Sequence, residues 1–410
     1  MRTARAGLVD SGVSWIGKVP PQWTMKPLWS MFERVKDVDH PDEQMLSVFR
    51  DFGVVAKESR DNINKTAENR SIYQLVHPGW LVANRMKAWQ GSVGISSLRG
   101  IVSGHYICFA PRHGEDSRYL NWLLRSTTYT NGYALLSRGV RIGQAEIDND
   151  EFRLMPVLLP SRGEQRAIAD YLDRETARID TLIEEQQCLI EMLRERRNSL
   201  VNGTFGDHPP NSRLQNACID VVDCTHTTPE VSDDGEYEAV RTASVRDGKF
   251  RPGNGLPVDR ATWESRNAGR APAVGDILFT REAPAGEACM VPNDQICLGQ
   301  RMVLLRIDGT ACVGEFLLWQ IYSTRVQDHF RLSANGSTVA NVRLPVLRTT
   351  PIWLPDLAEQ RRIAAYLNEQ TSKIDTMIAE TERFIELSKE RRLALITAAV
   401  TGQIDVREMV

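Results

Sequence analysis

A long internal repeat constrains this chain more than any other feature. Leu159-Pro160-Ser161-Arg162-Gly163-Glu164-Gln165-Arg166-Ala167-Ile168-Ala169-Asp170-Tyr171-Leu172 returns as Leu354-Pro355-Asp356-Leu357-Ala358-Glu359-Gln360-Arg361-Arg362-Ile363-Ala364-Ala365-Tyr366-Leu367, an offset of 195 residues. The echo continues at Ile179-Asp180-Thr181 against Ile374-Asp375-Thr376, and at Glu195-Arg196-Arg197 against Glu390-Arg391-Arg392. Across 159–200 and 354–395, 21 of 42 positions are identical. Shared composition would give only a few, so the segment is duplicated.

Each copy reads as one long helix. Each starts just after a Leu-Pro, and Pro and interior Gly are missing from the turns that follow. Apolar residues recur in steps of three, four and seven. The stripe is Ile168, Leu172, Ile179, Ile183, Ile190 and Leu193 in the first copy, and Ile363, Leu367, Ile374, Ile378 and Ile385 in the second. Such a helix, roughly 57 Å long, needs a partner for its stripe. The other copy is the expected partner, in a two-stranded antiparallel coiled coil.

The stretches before the helices are mixed, with short Val/Ile/Phe/Trp runs punctuated by Gly and Pro. They also echo each other. Pro78-Gly79-Trp80-Leu81-Val82-Ala83-Asn84-Arg85 resembles Val274-Gly275-Asp276-Ile277-Leu278-Phe279-Thr280-Arg281. Tyr119-Leu120-Asn121-Trp122-Leu123-Leu124-Arg125-Ser126-Thr127 resembles Phe316-Leu317-Leu318-Trp319-Gln320-Ile321-Tyr322-Ser323-Thr324. The expected organisation is α+β, with two mixed heads alternating with two long helices. Its boundaries are 1–160 for the first head, 161–203 for the first helix, 204–355 for the second head, and 356–410 for the second helix and tail.

Composition narrows the class. The chain has 410 residues, 42% of them hydrophobic and 25% charged, as in ordinary globular proteins. No apolar run is long enough to span a bilayer. The basic start, Met1 to Arg5, is not followed by an apolar stretch, so a signal peptide is not expected. Seven scattered cysteines, none in a Cys-x-x-Cys, fit free thiols in a reducing cytoplasm. The net charge is −3. Only residues 1–160 lean basic, at +4, against −2, −3 and −2 for 161–206, 207–355 and 356–410. Charge alone therefore neither requires nor forbids a nucleic-acid partner.

Common catalytic signatures are missing. There is no phosphate loop, His-Glu-x-x-His or nucleophile elbow, and no Asn/Asp-Pro-Pro-Tyr/Phe. Glu230, Asp247 and Lys249 loosely echo the acid–acid–lysine set of metal-dependent nucleases. Asp247-Gly248 is, however, also a common hairpin turn, and the first head has no equivalent. Asp223, Cys224 and His226 lack the further ligands that a zinc site needs. The expectation is a non-catalytic chain with no metal. A coiled-coil scaffold with protein-binding heads and a nuclease are the alternatives.

Together the motifs resemble the specificity subunits of type I restriction–modification systems. They are the opening Trp15-Ile16-Gly17-Lys18-Val19-Pro20-Pro21-Gln22-Trp23, the two Glu-Gln-Arg helix starts, and Asp223-Cys224-Thr225-His226-Thr227-Thr228-Pro229. Gly275-Asp276-Ile277-Leu278, Thr280-Arg281-Glu282-Ala283-Pro284 and Gly286-Glu287 also fit, as does the closing Thr397-Ala398-Ala399-Val400-Thr401-Gly402-Gln403-Ile404-Asp405. Two stretches depart from the internal pattern. Residues 200–206 end the first helix unlike the second, and Trp80 stands where the second head has Asp276.

The resemblance implies two target-recognition domains, each reading half of a bipartite, interrupted double-stranded DNA site. The paired helices would space them by a distance of the order of one DNA turn, ~34–36 Å. It also implies methyltransferase subunits as partners, one per half, and motor-nuclease subunits beside them. Methyl donor and ATP would bind those partners, so no cofactor is expected here. Base-edge chemistry nominates Asn84, Arg85, Lys87, Gln90, Arg99, His105, Arg138 and Arg141 in the first head. In the second it nominates His226, Arg281, Gln300, Arg301, Asn335, Ser337, Thr338 and Asn341. Trp89 is expected in the core rather than on DNA.

Overall fold

The computed structural model describes residues 5–59, 70–138, 145–268, 271–333 and 341–407. The chain divides into two compact units, one of Met1–Gln186 with Arg383–Val410, the other of Gln187–Glu382. The repeats form two long helices, Arg162–Gly206 and Leu357–Val400. The unit boundaries cut both helices near their middles, so each unit holds one head and a half of each helix. Among the described residues no helix is long and apolar enough to cross a membrane.

The two heads share one sheet plan. In the first unit, β1 (Phe32–Val35), β2 (Leu81–Asn84), β3 (Val93–Ile95) and β4 (Tyr106–Pro111) form an antiparallel sheet in the order β1-β4-β2-β3. In the second, β5 (Cys218–Asp223), β6 (Ile277–Thr280), β7 (Ala288–Met290) and β8 (Met302–Ile307) repeat it as β5-β8-β6-β7. The echo seen in the sequence at 81–84 and 277–280 therefore marks equivalent central strands. The second echo marks equivalent helices, Ser117–Arg125 and Gly314–Ile321.

Outside these sheets the heads diverge. The first adds the hairpin Leu46–Phe49 with Gly53–Ala56. The second adds a three-stranded sheet in which Tyr237–Val240 pairs antiparallel with Leu256–Val258 and parallel with Ile296–Leu298. It also carries the short helix Arg260–Arg266, capped by the Asp259 carboxylate accepting from the Thr262 N–H.

The glutamine of each Glu-Gln-Arg motif joins helix to head. Gln165 is fully buried; its amide donates to the Pro160 carbonyl (2.9 Å) and to Glu115 (2.8 Å), and its oxygen accepts the Asp116 N–H (2.9 Å). Gln360 does the same in the second unit, donating to Pro355 (2.8 Å) and Ala311 (3.0 Å) and accepting the Val313 N–H (2.8 Å). Asp116 and Val313 are the N-cap residues of the two equivalent helices. A tryptophan from each of those helices makes a second tie. Trp122 donates to Asp173 (2.8 Å), and Trp319 to Asn368 (2.7 Å).

The helix halves run antiparallel. In the second unit Arg197 pairs with Asp375 (3.3 Å) and Arg194 with Glu382 (3.2 Å), so one helix descends as the other ascends. In the first unit Asp180 receives two bonds from Arg392, at 2.8 and 3.1 Å. Asp180 and Asp375 are repeat equivalents, as are Arg197 and Arg392. The same contact thus occurs in each unit with the two helices exchanging roles.

The expected stripe is buried at Ile168, Leu172, Ile179, Ile190, Leu193, Ile363, Leu367, Ile374 and Ile385, and half-buried at Ile183 and Ile378. Helix-to-helix packing is only part of the reason. Ile168, Leu172 and Ile179 lie in one cluster with head residues Leu120, Leu123 and Val157 and with Leu395, Ile396 and Ala399. Ile363 and Leu367 pack with Phe316 and Trp319 of the second head and with Val201 and Phe205. Each buried Ile or Leu of this kind contributes about 1.5–3 kcal/mol. Burial of Val201 and Phe205 also explains why the first helix runs past 203 to Gly206.

The opening and closing segments meet in the first unit. Glu164 pairs with Arg5 (2.7 Å) and accepts from the Trp23 indole (3.2 Å), while the Arg5 N–H donates to the Gln403 carbonyl (2.9 Å). Gly402 has φ +73°, and a Cβ there would collide with the Pro20 ring, which accounts for glycine at this closure.

The glutamine ties give a test. Gln165→Ala and Gln360→Ala each strand a partly buried backbone N–H, at Asp116 or Val313. Each should cost about 1–3 kcal/mol of stability by urea denaturation. Unchanged midpoints would show that the amides do not hold helix to head.

Candidate nucleic-acid interface

In the first unit a cleft of about 780 Å³ opens beside the ends of β2 and β4. Asn84, Lys87, Gln90 and His105 line it, together with Arg50, Trp89, Tyr106, Thr130 and Asn131. Its wall at 84–92 is a tight turn. The Asn84 carboxamide accepts the Met86 N–H (3.1 Å), the Arg85 N–H donates to the His105 carbonyl (3.0 Å), and the Trp89 indole donates to the Met86 carbonyl (3.0 Å). Trp89 is half-buried with its polar atom satisfied, so its ring serves as wall. Gly91, at φ +93°, brings the turn against Thr130 and Arg50; a Cβ would lie 3.1 Å from the Thr130 hydroxyl.

The other nominated residues of this head are placed differently. Arg85 is paired with Glu146. Arg99 pairs with Glu43 (2.7 Å), contacts His77 (3.2 Å) and is not part of the cleft lining. Arg138 lies in the strand pair Ser137–Arg138 with Glu146–Ile147. Arg141 lies outside the described residues. Deeper in the head, burial and the neighbouring Arg392 pull the Arg125 guanidinium down to about 10. It still donates to the Arg50 carbonyl (3.2 Å), on the hairpin turn that borders the cleft.

In the second unit five nominated residues converge. Asp223, the last residue of β5, accepts from Nη1 of Arg281 through both carboxylate oxygens at 2.9 Å, and His226 lies 3.4 Å from the same carboxylate. Gln300 donates to the His226 carbonyl (3.2 Å) and the Thr228 hydroxyl (3.1 Å). The Arg281 N–H donates to the Arg301 carbonyl, and the Val342 N–H to the Arg281 carbonyl. Asn341 bridges to Glu282 through its backbone, and its buried Oδ1 is without a partner among the described residues. Arg301 and Ala283 have positive φ, 68° and 54°, a conformation costly for non-glycine residues that tends to cluster at functional sites. Asn335, Ser337 and Thr338 lie outside the described residues.

These side chains differ in availability. The Arg281 side chain is only 16% exposed and committed to Asp223, so it shapes the surface from beneath. His226 is 71% exposed and Arg301 54%, the latter 3.2 Å from Glu282. Burial raises the Cys224 thiol above its usual range, which leaves it inert beside the loop. Two participants escape the sequence reading. Asp223 appears there as a possible metal ligand and as the first residue of the 223–229 motif, not among the DNA-contact residues, and Arg266 not at all. Arg266 sits in an unremarkable helical stretch, and only tertiary structure brings it to the 225–228 loop.

Of the nuclease-like trio, Asp247 and Lys249 lie on one hairpin. Asp247 and Gly248, at φ 54° and 82°, form the turn of the hairpin Val245–Arg246 with Lys249–Phe250. Lys249 is paired with Asp375 at 2.6 Å, and Arg197 donates to the Asp247 carbonyl (3.2 Å), so the hairpin tip is fastened to the helix pair. Glu230 is exposed. No group of three or more His, Cys, Asp or Glu able to hold a metal occurs among the described residues.

Residues 225–384 match the family model described as the type I restriction modification DNA specificity domain. Over most of its length the fold is similar to that of two chains of known structure. One similar chain comes from a structure described as the structural basis underlying complex assembly and conformational transition of the type I R-M system. It aligns with a TM-score of 0.73 at 17% identity, over 94% of this chain and 100% of that one. The HsdS subunit from Thermoanaerobacter tengcongensis aligns with a TM-score of 0.54 at 18% identity, over 96% and 100% respectively. No curated protein matches the chain.

The division between supporting and available arginines can be measured. Arg281→Ala takes the arginine from the Asp223 carboxylate, leaving it the Cys224 N–H (3.0 Å) and His226 (3.4 Å), and should lower stability by about 1–3 kcal/mol. Arg301→Ala removes an exposed pair and should change it by less than about 0.5 kcal/mol. Equal losses in urea denaturation would remove the distinction.

Proposed function

We propose that this chain is the DNA specificity subunit of a type I restriction–modification complex, reading a bipartite, interrupted site and directing methyltransferase and restriction subunits to it. The observation that carries this reading is the repeated head. One strand order and one glutamine tie occur in both units, while the loops at the strand ends differ. Equivalent frames with unlike loops suit two unlike half-sites. The match over 225–384 supplies the class of ligand.

In this reading the first head meets DNA through the cleft holding Asn84, Lys87, Gln90 and His105, and the second through His226, Gln300, Arg301 and Asn341. Arg85, Arg99, Arg138, Arg141, Asn335, Ser337 and Thr338 remain candidates for backbone or base contacts. The chain itself performs no bond-breaking step and holds no cofactor. Methyl donor and ATP belong to its partners, which are two methyltransferase subunits and the motor-nuclease subunits. The complex works in the cytoplasm. With a net charge of −3, the subunit alone binds DNA weakly, and partners supply much of the phosphate contact.

Replacing residues 1–160 with the corresponding head of another specificity subunit should change one half of the methylated site, read by methylome sequencing, and leave the other half and the spacer intact. Binding by the assembled complex should weaken steeply with salt. A complex with its methyltransferase that modifies DNA without sequence preference would overturn the reading, as would a swap that alters both halves.

A further inference from the structure

The loop at 225–228 is exposed and lies beside the second candidate surface. Main-chain hydrogen bonds bracket it, from Cys224 to Met302 and from Ser232 to Pro257, and none holds the residues between among those described. Two side chains grip it instead. Arg266 donates through Nη1 to the Thr225 hydroxyl (2.7 Å) and the Leu298 carbonyl (3.0 Å), and through Nη2 to the Thr227 carbonyl (2.7 Å) and hydroxyl (3.3 Å). Gln300 holds the His226 carbonyl and Thr228 from another direction.

Arg266 stands on a fixed base. The Trp263 indole and the Asn267 carboxamide both donate to the Ile296 carbonyl at 3.0 Å. Trp263 also stacks on Tyr237 with ring centroids 4.9 Å apart. The planar guanidinium fork satisfies four acceptors at once, which a lysine ammonium cannot do in that geometry. Its terminal nitrogens are thereby committed to the protein rather than to a ligand.

We propose that Arg266 is a specificity-positioning residue: it fixes the 225–228 loop so that His226 meets the DNA in one geometry. This rests on the specificity-subunit reading. Arg266 reads no base itself, so its loss should relax discrimination within one half-site and spare general affinity. Phosphate contacts set affinity, whereas positioned side chains set sequence choice.

The test uses the full chain assembled with its methyltransferase, on a site defined by methylome sequencing. Wild type and Arg266→Lys are compared on the cognate duplex, on duplexes with single changes in either half, and on unrelated DNA. For Arg266→Lys the preference for cognate over substituted bases should fall by roughly tenfold or more in one half. Preference in the other half, affinity for unrelated DNA and the salt slope should stay at wild-type values. A Thr225→Val, Thr227→Val double variant removes the hydroxyl acceptors and keeps the arginine. It should relax the same half, and it decides the matter if Arg266→Lys fails to assemble. Wild-type discrimination in the assembled variants, or equal loss in both halves, would overturn the proposal. A wild-type complex with no sequence preference would instead overturn the specificity-subunit reading beneath it.

Discussion

Two buried amides hold this architecture together. A helix start normally leaves backbone donors without partners, and a head that merely abutted such a start could rotate against it. Gln165 and Gln360 prevent this by closing a ring of hydrogen bonds from the Leu-Pro entry, through the side chain, to the N-cap of the head's own helix. Both side chains are fully buried, so an amide left without its partners there is costly. The orientation of each sheet relative to its long helix follows from this ring.

The frame around these ties is duplicated, yet its copies have drifted. Glu164 is buried under Arg5 and Trp23, whereas its counterpart Glu359 sits at the surface with Arg362. Tyr171 is buried while Tyr366 is half exposed. The first unit also closes the chain's opening and tail upon each other, which accounts for several of these differences. What persists in both units is the backbone geometry of the tie and the Asp–Arg exchange between helices.

The frame was legible in the sequence because it is periodic and repeated. The stripe and the equivalence of 81–84 with 277–280 both rest on local pattern. The shared burial of the helix starts was not legible. Periodicity shows which face is apolar, but not that Leu120 or Phe316 would cover it. The candidate surfaces were legible in part. Base-edge chemistry points to Asn84, Gln90 and His105, and the fold brings them to one cleft. Arg99 and Arg281 were nominated on the same grounds, but each has an acidic partner distant in sequence, Glu43 or Asp223. Residue type cannot distinguish an arginine that is free from one already paired. Arg266 was invisible for the complementary reason, since its loop partners lie about forty residues upstream.

The grip on the 225–228 loop has a consequence for how such a surface can change. Gln300 holds position 226 by its carbonyl, and Arg266 holds position 227 partly in the same way. Neither hold depends on which side chain stands at 226. The loop can therefore exchange the group it presents while its path stays fixed, which separates innovation in what is recognised from the upkeep of shape.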